Sequence, residues 1–116
     1  MNPPLDVFTQ AYIEAALWST IDDLGVPLDK DHTVENVEPE TLVVMIGDCQ
    51  KFQKEYGDLI AVDVVRAGHD FWLTRNHHGS GFWDGDWPEE IGAKLTTAAM
   101  AFGEFDLWAA DGKVHH

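Results

Sequence analysis

The chain has 116 residues, of which 21 are Asp or Glu and 7 are Lys or Arg, and its formal charge at pH 7 is −14. Nucleic acids and anionic membranes are bound mainly through Lys and Arg, so this charge argues against both as direct partners. Hydrophobic residues make up 45% of the sequence, which predicts one folded domain over residues 1–116. The acidic surface either only keeps the protein soluble or presents carboxylates, in place of phosphates, to a basic partner.

The start of the chain and its cysteine content bear on where the protein works. The opening MNPPLDVF has no basic segment and no long apolar run, so it is not expected to be a signal peptide. No apolar run reaches the roughly 20 residues that span a bilayer. Cys49 is the only cysteine, which excludes an intrachain disulfide and favours a reducing cytoplasm. Its place on an apolar helical stripe predicts a buried, inert thiol.

The first half of the chain predicts two helices. Apolar residues at helical spacing favour a helix over residues 5–21, and residues 26–38 have no period and are expected to form a surface loop. Pro39 suits the first position of a second helix, and Gly57 is expected to end it. Residues 58–66 fit a short helix or a strand, and the helix is favoured.

Residues 68–88 are the stretch around which the fold is expected to be organised. The apolar side chains of Phe71 and Leu73 occupy every second position, as on the buried face of a half-buried strand. Residues 76–79 (NHHG) supply turn residues, and residues 81–84 would form the returning strand. The sequence therefore predicts a β-hairpin here.

The last part of the chain predicts a third helix and a second hairpin. Asp86 and Glu89 have the spacing of a capping box, and helical apolar spacing then continues to Phe102. The Asp111-Gly112 pair is typical of a two-residue hairpin turn. Together these elements predict an α+β fold, with an antiparallel sheet of three to four strands in two hairpins and about three helices packed on one face.

The residues of the first predicted hairpin form a candidate partner-binding site. With helices covering the other face, Trp72 and Trp83 would point outward together, and paired exposed indoles are typical of protein interfaces. The alternative is that residues 26–38 cover them. The remaining candidates on this hairpin are Arg75, His78, Asp70 and Asp84.

A metal or hydrolytic site is the weaker candidate. His69, Asp84 and Asp86 lie at the open end of the predicted hairpin, where imidazole and carboxylates could converge on a divalent ion. His77 and His78 lie at its turn, nearer 20 Å away at about 3.3 Å per residue. Because helix capping and solvation explain the same residues, no cofactor, metal ion or catalytic residue is predicted.

The string GHDFWLTRNHHGSGFWD, with the later FGEFDLW and DGK, resembles a family of small acidic proteins encoded by tailed bacteriophages. The similarity covers most of the chain, including ALWST near its start and the Asp48-Cys49 pair. The family reads Arg-Asn-Gly-His-Gly where this chain has His77 in place of the first glycine. The resemblance implies a phage origin and a role in counter-defence or host takeover, and it supplies no catalytic residues.

These observations predict a non-enzymatic protein that docks on a host protein in the host cytoplasm. A DNA-binding or defence protein with a basic surface would suit the acidic charge, which would steer the encounter and could mimic DNA. Two alternatives stay open. One is a small metal-binding protein or hydrolase, and the other is an oligomeric or virion-associated structural protein.

Overall fold

The computed structural model of the protein describes residues 5–116, and these are mainly helical. The predicted α+β fold is wrong, because the described residues form four helices and one two-stranded antiparallel sheet in place of a sheet of three to four strands. Two short 3-10 turns, Leu28–Lys30 and Val34–Asn36, lie between the first two helices. The elements are α1 (Val7–Ser19), α2 (Pro39–Ile60), α3 (Val64–Arg75), α4 (Glu89–Met100), β1 (Trp108–Ala110) and β2 (Lys113–His115).

The predicted hairpin over residues 68–84 is in fact the greater part of α3 followed by an irregular loop. Asp63 caps the start of α3, since its side chain accepts a hydrogen bond from the backbone N–H of Arg66 at 3.1 Å. Residues 70–75 are all buried, including the polar ones. A helix that is covered on every side has no contrast between an apolar and a polar face, so its sequence shows no helical period. The alternation around Phe71 and Leu73 therefore predicted a strand where the chain forms a helix.

Helices α1 and α3 pack closely against each other. A Cβ atom placed on Gly68 of α3 would lie 2.8 Å from the Cβ of Ala11, so glycine permits this approach. Tyr12 meets the indole of Trp72 edge-on, with ring centroids 5.4 Å apart. The Nε1–H of Trp72 donates to the hydroxyl of Ser19 at 2.8 Å. These contacts place α3 in the interior.

Aromatic rings from four other segments of the chain meet at Phe52 of α2. Its ring stacks on Phe71 at 4.3 Å and on Phe8 at 5.8 Å between centroids. Phe82, in the loop after α3, and Phe102, just after α4, lie at 5.8 and 6.1 Å. Burial of each such ring contributes about 1.5–3 kcal/mol, so this cluster is the centre of the core.

Helix α2 begins at Pro39 as predicted but does not end at Gly57. A glycine inside a helix costs only about 1 kcal/mol relative to alanine, and burial of Ile60 favours continuing the helix past it. Residues 58–66 are therefore the end of α2, a short turn and the start of α3. The first predicted helix corresponds to α1, and residues 26–38 form a loop that contains both 3-10 turns.

The C-terminal hairpin predicted from Asp111-Gly112 is present. The two turn residues have φ of 56° and 75°, the left-handed values that a tight hairpin turn needs. Ala109 pairs with Val114, which is completely buried. The carbonyl of Val114 also accepts a hydrogen bond from the backbone N–H of Glu38 at 2.8 Å, so the hairpin is attached to the start of α2.

Helix α4 lies where the third helix was predicted, but its start differs. Pro88 is the N-cap residue and makes no side-chain capping bond, so the predicted capping box of Asp86 and Glu89 is wrong. The carboxylate of Asp86 instead pairs with Arg66 of α3 at 2.8 Å.

Over residues 5–116, none of the helices combines the length and the apolar character needed to cross a membrane.

Candidate functional site

The two tryptophans predicted to form a contact patch lie in different surroundings. Trp72 is only 2% exposed because α1 covers it, whereas Trp83, in the loop after α3, is 53% exposed. The predicted open sheet face shared by the two indoles is therefore wrong. The physical reason is that residues 68–75 are helical, so Trp72 projects from a helix that is itself covered by α1.

Arg75 is also buried, and its guanidinium is bound on several sides. Its Nη1 lies 2.8 Å from Oδ2 of Asp48 and 3.0 Å from the hydroxyl of Tyr12. Its Nε and Nη2 donate to the carbonyls of Gly103 and Phe102 at 2.7 and 3.1 Å. Arg75 thus joins α3 to α1, α2 and the segment after α4, and it does not lie on a contact surface as predicted.

His78 lies just past the end of α3 and is half-buried. Its backbone N–H donates to the carbonyl of Leu73 at 3.0 Å and so helps to close the helix. The preceding His77 has φ of 57°, in the left-handed region that favours glycine. The imidazole of His77 is exposed and lies 3.6 Å from the carboxylate of Glu104. Neither histidine lies in the cleft that holds the other charged candidates.

Asp70 lies in the wall of a cleft between α3 and the loop over residues 80–86. The Nε1–H of Trp87 donates to its Oδ2 at 2.7 Å. Burial, which is the largest cause, and the nearby carboxylate of Asp84 raise the pKa of Asp70 from 3.8 to about 6. The hydrogen bond from Trp87 and the charge of Arg66 oppose this shift of the pKa. Asp70 therefore exchanges its proton close to neutral pH.

This α3 cleft, of about 490 Å³, also contains the candidates for a metal or hydrolytic site. His69, Asp84 and Asp86 line it, and burial lowers the pKa of His69. Arg66 lines the cleft as well and pairs with both Asp63 and Asp86. Within residues 5–116, no three His, Cys, Asp or Glu side chains are arranged to hold a metal ion. The cleft is thus a mixed ionic surface, with the carboxyl of Asp70 buried in its wall.

A second groove, of about 790 Å³, shares Trp18 and His69 with the α3 cleft. The two rings meet nearly perpendicularly, with centroids 6.1 Å apart. We call this surface the Trp18 groove. Its lining runs from α1 to the loop over residues 28–36 and includes Glu14, Leu17, Trp18, Asp29, Val34 and Glu35.

A third groove, of about 410 Å³, lies between the end of α1 and β1, and we call it the apolar groove. Ile21, Leu24 and Trp108 line it and are 62%, 88% and 53% exposed. The Asp22 side chain accepts hydrogen bonds from the backbone N–H of Leu24 and of Val26, both at 2.9 Å, which fixes the turn. The turn therefore holds Leu24 outward.

Sequence reasoning missed the apolar groove. One signal was available, because Leu24 is a large apolar residue inside an acidic turn, between Asp23 and Gly25. The other half of the groove, at Trp108, comes from a distant part of the chain and has no local signal.

No family model, curated protein or solved structure matches this chain. The inference of function therefore depends on the three surfaces. The α3 cleft is ionic, the Trp18 groove is acidic around one indole, and the apolar groove exposes several large apolar side chains together. Large apolar side chains that are exposed together often mark a protein-binding surface.

Proposed function

We propose that this chain is an acidic, non-enzymatic binding protein that docks on a host protein through its apolar groove. The supporting observation is the convergence of Ile21, Leu24 and Trp108, three exposed apolar side chains, around one groove. Clustered apolar side chains that include a Trp are typical of the energetic centre of an interface. Asp22 and Asp23 line the same groove and would supply its polar rim.

The charge of the protein favours a basic partner. Of the 7 Lys and Arg residues, Arg75 is buried with Asp48, and Arg66 pairs with Asp63 and Asp86. The net charge of −14 would accelerate encounter with a basic protein. The resemblance to tailed-phage proteins supports a role in counter-defence or host takeover, and we propose that the partner is a DNA-binding or defence protein in the host cytoplasm.

A capture experiment with matched variants tests the docking surface. Immobilised wild-type protein, the double variant Leu24→Ser/Trp108→Ala and the control Trp83→Ala are each incubated with bacterial lysate. Trp83 and Trp108 are equally exposed, at 53%, but lie on different surfaces, so Trp83→Ala controls for loss of an indole. We expect the same host protein with wild type and Trp83→Ala, and its loss with the double variant.

Two results would contradict the proposed docking. Undiminished capture by the double variant, with a circular dichroism spectrum like that of wild type, would remove the apolar groove as the docking surface. A defined assembly of wild type in light scattering that the double variant does not form would make the groove an interface between copies of this chain. That outcome would favour the oligomeric structural protein instead.

DNA mimicry makes a separate prediction for the captured complex. If carboxylates replace phosphates, the complex weakens steeply as the salt concentration rises, and duplex DNA competes with this protein for the host partner. A complex that is insensitive to salt and to DNA would exclude mimicry and leave the docking proposal in place.

A second candidate function is acid–base hydrolysis at the α3 cleft, favoured by the pKa of Asp70 near 6. A carboxyl that titrates close to neutral pH is suited to act as a general acid or base, and His69 and Asp84 line the same cleft. Ester and phosphomonoester substrates, with and without Zn²⁺ or Mn²⁺, test this function. Turnover that is lost in Asp84→Asn/Asp86→Asn would support it, and background rates throughout would exclude it for these substrates.

A further inference from the structure

We infer that the Trp18 groove binds an extended Lys- or Arg-rich segment of the partner, with one cationic side chain over the indole of Trp18. This inference rests on the proposed function, because it specifies which part of a basic partner the acidic surface would hold. It also assigns a second contact surface, distinct from the apolar groove. The two surfaces adjoin, since Leu28 lines the apolar groove and the next residue, Asp29, lines the Trp18 groove.

The carboxylates of the Trp18 groove favour a positively charged ligand. Glu14 of α1 and Asp29 and Glu35 of the following loop line it together with the imidazoles of His32 and His69, and among the described residues no Lys or Arg side chain does. None of these three carboxylates forms an ion pair within residues 5–116. The α3 cleft differs, because there Arg66 already balances part of the negative charge. A positively charged ligand would thus add the counter-charge that the fold does not provide in the Trp18 groove.

Trp18 provides the surface for the cation. Its side chain is 42% exposed, and its ring meets that of His69 nearly perpendicularly. Indole is the aromatic ring that attracts cations most strongly. Leu17 and Val34 form apolar parts of the same wall, against which the methylene stem of a Lys or Arg can pack.

The shape of the groove favours a chain segment. Gln10, Glu14 and Trp18 are spaced four residues apart along α1 and all line the groove. At about 1.5 Å per residue they cover about 12 Å, which is the length of about four residues of extended chain. The volume of about 790 Å³ is sufficient for several side chains, and the groove is partly open to solvent. A small organic cation would leave most of this length unfilled.

Calorimetric titration with an oligolysine peptide at low salt tests the inference. Glu14→Gln/Glu35→Gln removes two groove carboxylates, and Glu55→Gln/Glu104→Gln removes the same charge from exposed positions outside the groove. We expect the groove variant to weaken binding about tenfold and the control variant about twofold or less. Trp18→Ala should weaken binding about fivefold through loss of the cation–π contact.

Three results would overturn the inference. Equal weakening by both charge variants would show attraction to the overall charge and not to the groove. Absence of peptide binding to wild type at low salt would exclude the site. Spermidine binding as tightly as the peptide, with the same dependence on Glu14 and Glu35, would replace the chain segment by a small polyamine.

The peptide experiment needs no host partner, so its outcome is separable from that of the capture experiment. Failure of the peptide together with capture that depends on Leu24 and Trp108 would exclude the Trp18 groove alone. Groove-dependent peptide binding together with capture that ignores Leu24 and Trp108 would exclude the apolar groove and support the Trp18 groove.

Discussion

The guanidinium Nη1 of Arg75 lies 2.8 Å from the carboxylate Oδ2 of Asp48 and joins α3 to α2. Arg75 is 3% exposed, and its remaining nitrogens donate to two backbone carbonyls. An ion pair of this kind costs desolvation when it forms, so its net contribution to folding is modest. Loss of one partner is different, because the other charge then stays in the fold without its counter-ion.

We expect Arg75→Met to lower the free energy of unfolding by about 3 kcal/mol, since it leaves Asp48 and two carbonyls without their donor. The matched control is Arg66→Met. The Arg66 side chain is 46% exposed and its ion pairs lie on the surface, so its loss should cost about 1 kcal/mol or less. Urea denaturation followed by circular dichroism measures the free energy of unfolding of both variants. An equal decrease in the two variants would contradict a structural role for Arg75.

Asp70 makes stability depend on pH. Its pKa in the folded protein, about 6, lies above the ordinary value of 3.8, so the folded state holds this proton more tightly than the unfolded chain. The protonated carboxyl of Asp70 therefore makes its full contribution to the free energy of unfolding below about pH 4. This contribution is lost as the pH rises through about 6. Asp70→Asn keeps an acceptor for the indole of Trp87 and should exceed wild type in stability by roughly 2–3 kcal/mol at about pH 8.

The difference between Asp70→Asn and wild type should shrink by about 1 kcal/mol between about pH 8 and about pH 5. Urea denaturation of both proteins at the two pH values measures this change. A difference that stays constant with pH would show that Asp70 does not titrate in this range.

Two glycines in helices should respond oppositely to alanine. At Gly68 the added Cβ would press on Ala11 and on the backbone of α1, so we expect Gly68→Ala to cost about 1–3 kcal/mol. At Gly57, inside α2, a Cβ would have no atom within 4 Å, and Gly57→Ala should stabilise by about 0.5–1 kcal/mol. Thermal denaturation of the two variants checks the signs, and a stable Gly68→Ala protein would refute the close approach of α1 and α3.

Cys49 should be unreactive in the folded protein. It is completely buried in α2, and burial raises the pKa of its thiol, so almost no thiolate is present or accessible. We expect a colorimetric thiol reagent to react negligibly in native buffer and stoichiometrically in denaturant. Because Cys49 is the only cysteine, the two conditions serve as each other's control. Rapid native reaction would indicate that α2 opens readily.

Helices with one covered and one open face could be predicted from the sequence. In α4, Leu95, Ala98 and Ala99 are buried while Lys94 and Thr97 are exposed, so a helical period is visible. The same contrast made α2 predictable, and in α1, which is mostly buried, the exposed Val7, Glu14 and Trp18 still fall at helical spacing. Helix α3 has no such contrast in its second half, where polar and apolar residues are buried alike. Partners supplied by distant segments explain this burial, and local patterns do not contain that information.

The candidate surfaces show the same limit. His69, Asp84 and Asp86 share a cleft, although the expectation that they meet was based on a hairpin that the fold does not contain. Leu24 and Trp108 lie at opposite ends of the sequence and meet only because the C-terminal hairpin packs beside the end of α1. An exposed cluster assembled from two distant segments cannot be predicted from either segment alone.

The ring contacts of Phe52 determine which shortened fragments of the chain can keep the fold. Rings from the first helix, the third helix and both segments flanking the fourth converge on this one side chain. Excision of any of these segments would leave a hole beside Phe52 and expose its neighbours to water. A shortened fragment that keeps only one of the grooves would therefore lose the support that shapes the groove.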